Sequence, residues 1–184
     1  MHPRSPTLFA VLAIAGAAWI APFGGADAQP APAAAHLIPQ SLQIEHRETL
    51  EQISLLARRK GPVGVAAAKV LVLYKRHAGR EDEFVFPPLR LLPLLAEGKV
   101  TPDMAWALPM TDRVRAEQEQ IFDEHTQITE ALNELVAAGT KAHDNDAKEF
   151  AESAVADSLN DLEILIPTIL LIGDTLHSKL PAAH

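Results

Sequence analysis

Three histidines and three carboxylates stand in this chain where apolar side chains belong. Read in steps of four and three, one stretch gives Leu42, His46, Thr49, Ile53, and a second gives Val70, Tyr74, His77, Glu81, Phe84. A third gives Ile121, His125, Ile128, Leu132, Leu135, and a fourth gives Phe150, Ala154, Asp157, Asp161, Ile164. Such steps follow one face of a helix, so every one of these polar residues falls on a core stripe. A buried ionised carboxylate costs on the order of several kcal/mol unless something compensates it. A bound cation is the simplest compensation.

The spacing says how a cation could be gripped. Residues four apart on a helix have Cβ atoms about 5–6 Å apart, so His77 with Glu81, and Asp157 with Asp161, can each hold one ion together. His46 and His125 arrive singly from the other two helices. Imidazole with carboxylate suits iron, zinc or manganese rather than calcium or copper(I). Three carboxylates leave a net charge of about −1 against one divalent ion and about +1 against two, and a bridging hydroxide neutralises the latter. Charge balance therefore favours two ions. A lone histidine on an apolar stripe is ordinarily a hydrogen-bonded core residue; six polar residues in register are not.

The elements that would position these residues are helical throughout, since no stretch alternates apolar and polar residues. The first helix is expected over about Gln40–Lys60, stopped by Gly61, and the second from Pro62, whose fixed φ suits a first turn. The second ends or kinks near Pro87-Pro88, and Leu89–Leu95 reads as an irregular or short helical crossover. The third should start near Thr111 or Asp112 and stop at Gly139. The fourth should open on Asp146 with Glu149 three residues on, a capping-box pattern, and run to about Ile172 with a kink at Pro167. Four long helices with mostly short connections make an up-down-up-down four-helix bundle the expected all-α architecture.

An internal repeat supports two matched hairpins. His46 and His77 are 31 residues apart, His125 and Asp157 32. Glu-His opens both halves (Glu45-His46, Glu124-His125). An acid follows His77 and Asp157 after four residues (Glu81, Asp161), another two further on (Glu83, Glu163), and a proline four beyond that (Pro87, Pro167). Glu83 and Glu163, about 200° around the helix from the stripe acids, should point away unless a π-bulge intervenes.

The remaining features bound the biology. Arg4, an apolar run Leu8–Ala21 and Ala26-Asp27-Ala28 read as a secretory signal peptide over residues 1–28, the run of 14 residues being shorter than the about 20 a spanning helix needs. Residues 29–36 (QPAPAAAH) read as a linker, and residues 37–180 as one domain. A periplasmic or secreted location follows, with no membrane attachment after cleavage. The chain has no cysteine, which excludes disulfides and thiolate metal sites, and a net charge of −8, which removing Arg4 and Asp27 with the leader leaves unchanged. Nucleic acid is thereby excluded as a partner, because it demands a basic patch. Glu45, Glu48 and Glu51, and Glu117, Glu119, Asp123 and Glu124, read as solvated faces, as do His36, His143, His177 and His184. Tyr74 reads as a core aromatic, with a role as donor to a group beside the ion as the alternative.

His46, then His77 and Glu81 four apart, then His125, then Asp161, with Phe86-Pro87-Pro88-Leu89 after the second-helix acid, resemble the hemerythrin-like (HHE cation-binding) family over about residues 37–178. The resemblance implies a four-helix bundle with a non-haem di-iron centre, and ligand positions at His46, His77, Glu81, His125 and Asp161. Two departures stand out. Asp157 occupies a position where oxygen-carrying members have histidine, and Ile121 and Thr129 flank His125 where those members have a second one. More carboxylate favours the oxidised metal, which weighs against reversible O₂ carriage. Asp157 itself reads as a ligand, a holder of water, or a partner orienting His125. The expected function is an exported protein whose iron interacts with O₂, peroxide or NO. The alternatives are an oxidoreductase acting on peroxide or a substrate, a mononuclear zinc or iron protein, and a metal-free helical interaction domain.

Overall fold

Prolines and glycines cut the chain into its elements. The computed structural model describes residues Ile38–Pro181; the leader expected over residues 1–28 and the linker over 29–36 lie outside the described residues. Every described element is helical, and none of the described residues forms a strand.

Helix α1 spans Gln40–Ala57 and turns at Gly61, whose φ of 83° favours glycine. It ends three residues before the expected Lys60, where residues 58–61 fold back into the turn. Helix α2, Pro62–Arg80, carries proline in its first turn. Gly64 is required at this reversal, because a Cβ there would stand 1.8 Å from the Arg59 carbonyl oxygen. The α2 spiral then widens into a π-helical turn, Glu81–Val85, in which the Phe86 N–H donates to the Glu81 carbonyl at 2.9 Å. After the crossover come α4, Leu108–Ala116, and α5, Gln118–Ala142. The crossover itself consists of 3₁₀ turns Pro87–Leu91 and Pro102–Ala107 and the short helix α3, Leu92–Ala96. Helix α6, Asn145–Asn160, passes through a second π-helical turn, Asp161–Leu165, into α7, Ile166–Lys179.

The two π turns are the sequence repeat made visible in the backbone. Each begins at the stripe acid and each precedes a proline by six residues. Proline donates no N–H and its ring collides with the carbonyl four residues back, here that of Glu83 or Glu163, and one extra residue in the turn relieves the collision. Glu83 and Glu163 nevertheless stay exposed.

Beyond the end of α1, four expected boundaries need correcting. The last helix runs past the expected Ile172 to Lys179. The third helix starts at Leu108 and is broken at Glu117. It continues through Gly139 to Ala142, where His143 takes the left-handed conformation (φ 54°) and the His143 and Asp144 N–H groups close on Thr140 and Gly139 carbonyls, a Schellman ending. Gly139 serves close packing instead: a Cβ there would lie 3.0 Å from the Lys148 backbone nitrogen. The N-cap of α6 is Asp144, whose carboxylate accepts from the Ala147 N–H at 3.1 Å, and not Asp146.

Helices α1, α2, α5 and α6 run side by side, and cross-helix pairs fix their directions. His46 near the start of α1 meets Glu81 beyond the end of α2, Lys69 and His77 of α2 meet Glu134 and Glu124 of α5, and His125 of α5 meets Ser158 of α6. Successive helices are therefore antiparallel. Two apolar clusters fill the interior. One gathers Ile53, Val70, Leu132, Leu135 and Ala151, the other Phe84, Phe86, Val114, Ile121 and Ile169. His46, His77, Glu81 and His125 are also buried. Along each helix they fall between the residues of one cluster and those of the other, so a polar layer crosses the interior.

Candidate metal centre

Glu81 is the hub of that layer. Its Oε1 lies 3.0 Å from His77 Nε2 and 3.8 Å from His125 Nε2, and its Oε2 lies 3.3 Å from His46 Nε2. The π turn places it there while turning Asp82 outward, with Oδ1 still 3.0 Å from His46 Nδ1. The imidazoles of His77 and His125 stand edge to face, centroids 4.3 Å apart, while His46 packs against Tyr74 and Phe86.

Each imidazole is held from behind. His46 Nδ1 faces Asp82, His77 Nδ1 faces Glu124 Oε2 at 3.3 Å, and His125 Nδ1 faces Ser158 Oγ at 2.9 Å. Glu124 is in turn bound by Arg80 and Gln120, and Arg80 also pairs with Glu117. Anchoring Nδ1 fixes the ring and aims Nε2 inward, as outer partners of metal-bound histidines do.

The inward atoms are left over. His77 Nε2, Glu81 Oε1 and His125 Nε2 are buried without a hydrogen-bond partner, even though the first two lie 3.0 Å apart, because the pair is not aligned for a hydrogen bond. Orphaned buried polar atoms are rare and call for an explanation. These three donors lie within 4.8 Å of one another. Their separations of 3.0 and 3.8 Å bracket the edge of about 3.4 Å in a tetrahedron with bonds of about 2.1 Å. A transition-metal ion fits this donor set.

No protein-family model, curated protein or solved structure matches the chain.

The electrostatics of the layer carry the same signature. Burial would raise the Glu81 carboxyl, but His77 and His46 overcome it and hold it near 2. Burial would lower His46, but Glu81 and Asp82 lift it to about 9. For His125, burial and then His77 act together and hold it down at about 4. Asp161 is pushed up to about 8 by burial and then by Glu81 and Glu45. Two acids and two imidazoles are thus driven apart in their proton affinity within one small volume.

Of the six residues expected at the centre, the structure brings His77, Glu81 and His125 together, with His46 on the far oxygen of Glu81. Asp161 lines the cavity beside them, half-buried, and Asp157 lines the same cavity but is exposed. The partner that orients His125 is Ser158, one position beyond Asp157. The cavity has a volume of about 20 Å³ and Tyr74, half-buried, forms part of its wall.

Sequence reasoning missed the outer partners. Glu124, read as solvated, is 5% exposed, and Glu45, also read as solvated, is half-buried on the cavity wall. A signal existed: Arg80, three residues after His77, is a counter-charge on the edge of the same stripe. Asp82 and Ser158 had no such signal, because their placement depends on the π turn and on the crossing of α5 with α6. His143 and His177 are exposed as expected, the latter pairing with Asp112 at 2.7 Å.

Proposed function

We propose that this chain is an exported metal-binding protein of hemerythrin type, an up-down-up-down four-helix bundle whose buried layer holds non-haem iron that interacts with O₂, peroxide or NO. The observation that carries the metal reading is the convergence of three orphaned buried donors, His77 Nε2, Glu81 Oε1 and His125 Nε2. Imidazole with carboxylate favours iron, zinc or manganese among common ions. The ion would supply a Lewis acid or a one-electron couple. The chain's own residues supply position: Asp82, Glu124 and Ser158 fix the rings, and the apolar clusters on both sides exclude bulk water.

Two ions are favoured by the Glu81 carboxylate, whose two oxygens face different histidines. Oε1 would serve the position of His77 and His125, and Oε2 the position of His46, with Asp161 at hand on the cavity wall. A cavity of about 20 Å³ holds little more than a water molecule, which needs at least about 10–15 Å³. It favours a diatomic or peroxide over an organic substrate.

A mononuclear ion is the second reading. It is favoured by the grouping of donors, since only His77, Glu81 and His125 lie within 4.8 Å of one another among the described residues. Elemental analysis of the protein after iron-supplemented expression, followed by its ultraviolet-visible spectrum under air, separates the readings. Two equivalents of iron support the dinuclear centre and one supports the mononuclear. Less than about half an equivalent of any transition metal, against the micromolar or tighter binding a buried site implies, overturns both.

A further inference from the structure

Three of the four seams around the polar layer are bridged by the groups that hold the histidines. Asp82 and His46 close the α1/α2 side, Glu124 and His77 the α2/α5 side with Arg80 outside them, and Ser158 and His125 the α5/α6 side. Arg80 adds a positive charge that repels a cation approaching there. Among the described residues, the fourth seam, between α1 and α6, has no such bridge at the level of the layer.

An outer groove of about 270 Å³ follows that seam, and it and the inner cavity share four wall residues: Glu45, Thr49, Ala154 and Asp157. Thr49 and Ala154, the two uncharged residues of this shared wall, are small. Glu45 and Asp157 face this opening from opposite helices, Glu48 adds a third carboxylate on the solvent side, and Asp161 continues the series within the cavity. Beyond them the unpartnered nitrogens of His77 and His125, themselves 3% and 1% exposed, belong to residues lining the same cavity. Arg59, which pins the far end of the seam to Asp144 and Asp146, lies just beyond α1, whose last residue Ala57 is 12 residues from Glu45, or about 18 Å at 1.5 Å per residue.

We propose that the α1/α6 seam is the entry route for a divalent transition-metal cation, with Glu45 and Asp157 receiving it from solvent and Asp161 passing it to the histidine layer. The inference rests on the metal reading above and gives Asp157, the residue that departs from the family pattern, a task at the mouth of the centre. Carboxylates at a narrow mouth concentrate cations and raise association rates by about 10- to 1000-fold, an effect that salt suppresses.

The test is the rate at which the metal-free full chain takes up cobalt(II), followed by stopped-flow absorbance at low and high ionic strength, with the endpoint fixed by elemental analysis. Glu45→Gln/Asp157→Asn removes both receiving charges while keeping side-chain size. Glu149→Gln/Glu152→Gln removes two exposed charges from α6 outside the seam. The seam variant is expected to load at least about tenfold more slowly at low salt, with the gap narrowing at high salt, and to reach the same final stoichiometry. The control is expected to stay within about twofold of the unsubstituted chain. Equal rates in the two double variants overturn the route while leaving the metal reading intact. A lowered endpoint in the seam variant also overturns it, by making these carboxylates resident ligands. Failure of the unsubstituted chain to bind any cobalt overturns the metal reading itself.

Discussion

Replacing Glu124 with alanine tests whether the outer partners determine how the layer binds metal. Three groups lose a partner: His77 Nδ1, Arg80 and Gln120. Gln120 is exposed and rehydrates, and Arg80 keeps Glu117. Only His77, 3% exposed, is left with a buried polar nitrogen unsatisfied, at a cost of about 1–3 kcal/mol. In a chain of this size each kcal/mol lowers Tm by about 2–4 °C, so the metal-free variant should melt several degrees early. The larger effect falls on the metal, because the imidazole is no longer held with Nε2 inward. Loss of such a partner weakens affinity by about 10- to 100-fold. A competition titration against a chromophoric chelator measures the change, with His77→Ala as the reference for a lost donor. A Glu124→Ala dissociation constant within twofold of the unsubstituted value, while His77→Ala loses binding, refutes the idea that the back of the ring matters.

The metal-free protein should be most stable between about pH 4.5 and 6.5. Above that window His46, lifted to about 9, contributes stability that is complete below its ordinary 6.5 and lost as pH rises through 9, while Asp161, pushed up to about 8, penalises the fold increasingly from its ordinary 3.8 up to 8. Inside the window that penalty offsets the stability that His125, held at about 4, gains as pH rises to 6.5, and on the acid side Glu81, held near 2, withdraws stability as pH falls below 4.5. Melting curves in chelator between pH 4 and 9 check this, and a Tm that climbs from pH 6.5 to 9 contradicts it. Adding excess metal should raise Tm by an amount that grows with concentration, as ligation of the native state requires; a Tm indifferent to both metal and chelator would support the metal-free domain. Gly173→Ala should destabilise by about 1–3 kcal/mol through overpacking, since its Cβ would stand 2.7 Å from Thr111 Oγ1 between α7 and α4, and urea denaturation reads it directly.

The stripes were legible because side-chain period is a local property. His46, His77, Glu81 and His125 stood at core steps of their own helices, and burial followed from that without knowledge of neighbours. The repeat was legible too, down to the matched acids and prolines, although the sequence showed a kink where the backbone makes a π turn. What escaped depends on crossings between helices. Glu124 sits one residue, about 100°, from His125, on the flank that α2 covers, and among Glu117, Glu119 and Asp123 it looked like one more solvated acid. Gly139 looked like a helix stop because glycine has two uses, a left-handed turn and a close approach, and only the packing of α6 shows that here it is the second. Asp157 and Asp161 shared a stripe with the core by period, yet the open α1/α6 seam leaves one exposed and the other at a cavity wall.

The polar layer also divides the apolar interior in two. One oily half lies among α1, α2, α5 and α6, and the other around α4, α7 and the proline-rich crossover. A protein whose core is continuous melts as one unit; here the halves meet across a layer of imidazoles and a carboxylate, and a cation bound in that plane would be the cross-tie between them. In the metal-free chain the two halves should open as separate foldons, with amide protons of α4 and α7 exchanging at a different free energy from those of α2 and α5. Loading would merge them into one cooperative block, so an unloaded chain would offer proteases a half that the loaded chain keeps closed.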